Sequence, residues 1–378
     1  MTKTRSALVF ASLILVLFIL SPPSGGEEGD RSGWSKFFTR FRENFDDFPL
    51  HTAVRLGHAE DVRRLIEEGA DPAALDEDAF APLHFAAWKG EVEIARILID
   101  AGAQIDVHRR PYGETPLLLA IHHERIDMVK YLLERGADCR ATNFLDQSPL
   151  SFAAQVGNVE ALSLLLESGA EVDQAMEDGR TPLFIAVSTG QIEAATRLIE
   201  FGADLEAESR SGHTPLYAAV FYGQTEMVSL LLEAREVYDG DYLNTQGLLI
   251  SAVSQGHREV VENLLEAGAD PNWRYDSESN EALHLACKLG HKGIAESLIR
   301  HGAILDATNW RDMTPLHYAL LGEHCRIANL LIEKGADTGA VDLYGMTADQ
   351  FADLVRTSKG RELIPSPEEG GSYDPRAV

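Results

Sequence analysis

Ala81-Pro82-Leu83-His84-Phe85-Ala86-Ala87-Trp88-Lys89-Gly90, continued by Glu91-Val92-Glu93-Ile94-Ala95-Arg96-Ile97-Leu98-Ile99-Asp100-Ala101-Gly102, is the stretch that decides the fold. Proline wastes no hydrogen bond at the first position of a helix and fixes φ there, so a helix starts near Pro82. Glycine reaches the left-handed region cheaply, so that helix stops at Gly90 and the chain turns. Val92, Ile94, Ala95, Leu98 and Ile99 then recur at helical spacing, and the second helix ends at the next glycine. Two helices this short need neighbours on which to bury their apolar faces.

The neighbours are present in the sequence. A small or hydroxyl residue followed by Pro-Leu returns at Thr115, Ser148, Thr181, Thr214 and Thr314, and the leucine of the motif keeps its place at 50, 83, 117, 150, 183, 216, 249, 283 and 316. Successive steps are 33 or 34 residues. A Gly-Ala step closes most units, as in Gly69-Ala70-Asp71 and Gly335-Ala336-Asp337. A fixed period of this size predicts a solenoid, because no unit can bury its own apolar face alone. Stretches such as Asp173 to Arg180 carry Asp-Gly turn chemistry and predict loops that project from the stack.

The hydroxyl-Pro-Leu-His turn, the Ala-Ala pair, the glycine, the second aliphatic run and Gly-Ala-Asp are best kept in Ala81 to Gly102 and Thr314 to Asp337. In these residues the chain resembles the ankyrin-repeat family, over about residues 48–356, as nine full repeats and a closing half repeat at Thr347-Ala348-Asp349-Gln350-Phe351-Ala352. The resemblance implies an all-α solenoid of stacked helix-turn-helix units with projecting β-hairpin loops, and a general trade in binding other proteins. It does not name the partner.

The net charge of −27 argues against a phosphate-backbone binder, since nucleic-acid affinity rests on clustered Lys and Arg. A basic or polar protein partner suits it better; acidity that merely keeps a long solenoid soluble is the alternative. Lys3 and Arg5, the uncharged run Ala7 to Leu20 and the exit Ser21-Pro22-Pro23-Ser24-Gly25-Gly26 fit a secretory signal over residues 1–26. Export to a periplasmic or extracellular space is expected, with an uncleaved signal anchor as the alternative. Between signal and repeats, in residues 27–47 and on to Phe48, the rings of Trp34, Phe37, Phe38, Phe41, Phe45 and Phe48 share one helical arc of about 100°. That amphipathic helix reads as a cap on the first repeat; contact with a membrane interface through 7–20 and 34–48 is the rival reading. From Thr357 to Val378 the composition is that of a disordered tail.

Catalytic chemistry finds little support. His51, His84, His284 and His317 share one place in their repeats, which points to a structural imidazole that hydrogen-bonds across adjacent turns. His122-His123-Glu124 is the best seed for an enzyme or metal site, yet sequence neighbours sit about 100° apart on a helix and do not converge on one ion. No zinc spacing exists among Cys139, Cys287 and Cys325; Cys287 fills an Ala place, and the other two lie more than five repeats apart. The expectation is a monomeric, non-catalytic scaffold without cofactor or metal.

Differences between repeats carry the specificity. Exposed rings are expected on the loop tips at Tyr112, Phe144, Tyr242, Trp273, Tyr275, Trp310 and Tyr344, with Arg274 and Arg311 interleaved for cation–π contact. A second candidate row precedes the glycine of each unit and includes Arg55, Trp88, Lys89, His122, His123, Phe221, Tyr222 and Lys288. Loop tips and first helices would form one concave face, richest from the sixth to the ninth repeat. One joint breaks the pattern: Arg235-Glu236-Val237 replaces Gly-Ala-Asp and Gly247-Leu248 replaces Thr-Pro, which predicts a strained left-handed cap and either a hinge or simple degeneracy.

Overall fold

The computed structural model describes residues 48–237, 245–348, 350 and 353. The expected signal at 1–26, the aromatic segment 27–47, Tyr242 and the tail 357–378 lie outside these residues. Among the described residues eighteen helices follow one another: α1 (Pro49–Leu56), α2 (Ala59–Glu67), α3 (Pro82–Lys89), α4 (Val92–Asp100), α5 (Pro116–His122), α6 (Ile126–Glu134), α7 (Pro149–Val156), α8 (Val159–Glu167), α9 (Pro182–Ser188), α10 (Ile192–Glu200), α11 (Pro215–Phe221), α12 (Thr225–Val237), α13 (Thr245–Gln255), α14 (Arg258–Glu266), α15 (Ala282–Leu289), α16 (Lys292–Arg300), α17 (Pro315–Leu321) and α18 (Cys325–Glu333). Each odd helix packs on the next odd helix and on its own even partner, and the even helices stack likewise. Two layers of helices therefore run the length of the array, as the leucine period predicts.

Local chemistry accounts for each unit. The hydroxyls of Thr115, Ser148, Thr181 and Thr214 accept from the backbone N–H three residues on, at 3.1–3.3 Å, and cap the helices whose first residue is proline. Gly57, Gly90, Gly157, Gly190, Gly223, Gly256 and Gly290 turn the chain at φ between 68° and 82°. Two repeats place a glutamate there instead: Glu124 and Glu323 adopt φ 55° and 57°. The leucines and alanines between these points are the core, with Leu83, Ala86, Ala95, Leu98 and their counterparts buried throughout.

The loops close as turns. In five of them an Asp or Asn carboxyl or amide oxygen accepts from two backbone N–H groups further along, as Asp76, Asn143, Asp276, Asn309 and Asp342 all do. Among the described residues the one strand-like pairing is the bridge Val341 to Thr347. Neighbouring tips are joined by single backbone bonds, from Phe144 N to Tyr112 O, Arg210 N to Asp178 O, Trp310 N to Glu278 O and Leu343 N to Arg311 O, at 2.8–2.9 Å.

The irregular joint differs from expectation in an instructive way. Without a glycine at Arg235, α12 does not turn there; among the described residues it runs on to Val237, 13 residues against the 9 of α10 and α14. α13 likewise starts early, at Thr245, and has 11 residues. Continuing a helix costs nothing comparable to forcing a side chain into the left-handed region, so the chain lengthens both helices in place of the strain. Packing is continuous across the joint, α11 on α13 and α12 on α14.

Candidate partner-binding face

The recurring histidines are structural. Nδ1 of His84, His284 and His317 accepts from the backbone N–H of Ala81, Glu281 and Thr314, which leaves the proton on Nε2. That N–H donates into the next repeat, to Val107 O, Met313 O and Met346 O at 3.0–3.3 Å. Burial drives His84 and His284 down to about 4, and lowers His51 and His317 too, so the rings are neutral braces. Among the described residues no three His, Cys, Asp or Glu side chains gather where a metal could sit.

The ends of the odd helices form a second system. Each leaves carbonyls without a helical partner, and at four of them, α1, α3, α11 and α15, a side chain of the following repeat supplies the donor. Lys89 Nζ donates to Arg55 O at 2.8 Å, Arg125 Nε to Trp88 O at 3.2 Å, His257 Nε2 to Phe221 O at 3.1 Å and His324 Nε2 to Lys288 O at 3.2 Å. Lys89, expected to be a partner contact, is thus first a cap on α1, with its charge also near Glu91. The residues these caps hold in place are the ones left bare: Trp88 is 39 % exposed, Phe221 41 % and Tyr222 58 %, and His122 is exposed beside them.

Rings connect along this face. Phe80 at the base of the second loop stacks on Phe85 at 4.8 Å; Phe85 lies 6.3 Å from Trp88, Trp88 5.7 Å from His123, His123 4.8 Å from His122, and His122 5.4 Å from Phe152. His51 and Phe48 extend the path into the first repeat. Burial, with His122 and Arg125 beside it, holds His123 down to about 4. A shorter run lies on α11 through Tyr217, Phe221 and Tyr222. Sequence reasoning placed the richest face in repeats six to nine, whereas the longest run of ring contacts spans the first four. Phe85 and Phe152 occupy one place in their repeats, a signal that was readable; His51 and His122, the rings they meet in the preceding repeat, are 34 and 30 residues away, and those contacts were not.

Trp273 and Trp310 are exposed loop-tip rings as expected, 42 % and 51 %, and Arg274 is exposed with Glu281 at 3.8 Å. Tyr275 and Arg311 are corrections. Tyr275 is half-buried in its turn, where burial and the adjacent Asp276 push its phenol up, and its N–H donates to Asn280 O. The Arg311 side chain is only 14 % exposed: its guanidinium lies over the Trp310 ring at 4.7 Å and 3.6 Å from Glu278. The expected cation–π pair exists, spent inside the loop.

A repeat solenoid braced by histidines between units and capped from repeat to repeat defines a class. The chain belongs to the ankyrin-repeat family: the family model for three copies of the ankyrin repeat matches residues 35–109, 106–176, 150–241 and 249–342. It is similar to Protein PhlB of Serratia liquefaciens, 36 % identical over 101 residues, which is 27 % of this chain and 44 % of that protein. B-cell lymphoma 3 protein of Homo sapiens is 37 % identical over 111 residues, 28 % of this chain and 24 % of that one. The 26S proteasome non-ATPase regulatory subunit 10 of Dictyostelium discoideum is 40 % identical over 86 residues, 22 % and 37 %. The chain spans less than half the length of each of these relatives. Ankyrin repeats are interaction modules that bind protein partners and are typically non-catalytic.

Proposed function

We propose that this chain is an exported, non-catalytic scaffold that holds a protein partner against the ends of its odd helices and the tips of its loops. The observation that carries the reading is the bare row Trp88, His122 and Phe221, at equivalent places in the repeats that stacking leaves uncovered, with Tyr222 one residue on. Solvent-facing aromatic residues in register across several units are costly surface and good anchors. Export rests on Lys3, Arg5 and the run Ala7 to Leu20; among the described residues no helix is long and apolar enough to cross a membrane.

Site-specific photocrosslinking tests the face. A benzoylphenylalanine placed at Trp88, His122 or Tyr222 should trap one and the same protein from the native compartment, while probes at Glu160 or Glu193 on the even helices should not. Equal trapping from both sets would overturn the reading. A reporter fused after Gly26 tests export, and its retention in the cytoplasm would remove that part.

A further inference from the structure

Loops five and six depart from their neighbours. The third, fourth, eighth and ninth tips carry exposed rings at Tyr112, Phe144, Trp273 and Trp310. The tips before α9 and α11 carry Glu177 and Asp178, then Glu206 and Glu208, and the bond from Arg210 N to Asp178 O joins the two. Arg180 is held by Asp178 at 2.6 Å, leaving Arg210 as the other cation of these tips.

The chain passes from these acidic tips into a ladder of rings at spacing four, one face of a helix and its entry turn. His213 stacks on Tyr217 at 4.1 Å, with 13° between the planes, Tyr217 lies 6.2 Å from Phe221, and Tyr222 meets Phe221 edge-on at 5.4 Å. The ring path of the first four repeats already has cations of this chain over it: Arg55 over Phe85 at 5.5 Å and Arg109 over Phe80 at 4.6 Å. Among the described residues no Lys or Arg covers Tyr217, Phe221 or Tyr222. Tyr217 is covered on one side by His213, so the π faces left without a cation of this chain are those of Phe221 and Tyr222, and the tips that precede the helix bear carboxylates.

We propose that α11 and the tips of loops five and six seat an extended Lys- or Arg-rich segment of the protein partner, with its cations over Phe221 and Tyr222 and against the carboxylates of those tips. The proposal rests on the interaction reading above and names the chemistry of one stretch of the partner. Cations bind aromatic faces best where no cation already sits, and a chain of net charge −27 draws a basic segment toward it. From those tips to Tyr222 the seven residues of α11 rise about 10 Å, the reach of roughly three extended residues, with one or two more for the tip.

Fluorescence anisotropy of the full chain with labelled octa-arginine and octa-glutamate, at about 0.15 M salt, tests this. Octa-arginine should bind and octa-glutamate should not. Phe221→Ala with Tyr222→Ala, which leaves charge untouched, should weaken octa-arginine about tenfold. Glu177→Gln with Glu208→Gln should weaken it in a salt-dependent way, while Glu67→Gln with Glu68→Gln, the same charge change at α2, should stay within about twofold. Failure of octa-arginine to bind, an unchanged ring variant, or equal losses from the two charge variants would overturn the proposal. Should the ring variant melt early, Glu177→Gln with Glu208→Gln, both at exposed positions, decides it. The crosslinking experiment uses no basic probe, so trapping at Trp88 and Tyr222 with no preference for octa-arginine would refute the basic segment alone.

Discussion

Acidification from pH 7.5 to 5.0 should strip stability from particular repeats through His84 and His284. Both imidazoles fall from the ordinary 6.5 to about 4 in the folded chain, because burial disfavours the cation. Above pH 6.5 neither state binds a proton, so these groups cost nothing. Below it the unfolded chain takes protons that the folded chain refuses, and stability drains away until the pH reaches about 4. At pH 5.0 the difference amounts to about 2 kcal/mol per histidine, about 4 kcal/mol for the pair. His51, His291 and His317 push the same way, as does the less buried His123. Asp76, Asp106 and Asp173 are raised by burial from an ordinary 3.8, so they favour the folded state on acidification and offset part of the loss. Urea unfolding followed by circular dichroism at both pH values gives the total. His84→Gln should start less stable at pH 7.5 yet lose about 2 kcal/mol less on acidification, and native-state hydrogen exchange should place the difference in repeats two and three. A His84→Gln chain with the wild-type pH dependence, or a wild type equally stable at both values, would refute the neutral-brace account.

Three further outcomes follow from the backbone and the loops. Glu124→Gly and Glu323→Gly should each stabilise by about 1 kcal/mol, since both residues hold a left-handed conformation that glycine adopts freely; thermal melting checks it, and a loss would mean the glutamates have roles the turn does not explain. Gly179→Ala should cost clearly more than Gly202→Ala although φ is 79° and 82°, because the added methyl would sit 2.8 Å from Arg210 N in the first case and in open space in the second. Asn309→Ala should destabilise by about 2 kcal/mol or more, since its side chain accepts from Arg311 N and Met313 N and donates to Asn280 and Tyr318; a change under about 0.5 kcal/mol would show that this buried network is dispensable.

The stack was legible because its causes are local and repeated. Pro82, Gly90 and Leu83 each act on their own turn, and the period says that the next unit does the same. Strain at Glu124 and Glu323 was hidden for the same reason: alignment by glycine skips the two units that lack it. At Arg235 the missing glycine was seen, but the response was misjudged, because lengthening a helix competes with straining a cap and wins. The face was less legible. Lys89, Arg125 and His257 look like surface charge until their acceptors, 34 to 37 residues back, are known. Tyr275 and Arg311 look like exposed anchors until the turn folds over them.

The bonds between loop tips have a mechanical consequence. Tips three and four are tied, five and six are tied, and eight, nine and ten are tied, while among the described residues no backbone bond joins tip two to three or four to five. Each tied group also has one chemical character: rings on three and four, carboxylates on five and six, rings again on eight to ten. A partner that stills one tip stills its backbone-tied mates, while it reaches the next group only through side chains, Gln174 Nε2 on Arg140 O between four and five and Arg109 over Phe80 between two and three. The array thus behaves less like a row of equal fingers than like a hand with some fingers webbed, and its elementary unit of grip is a group of loops rather than a single repeat.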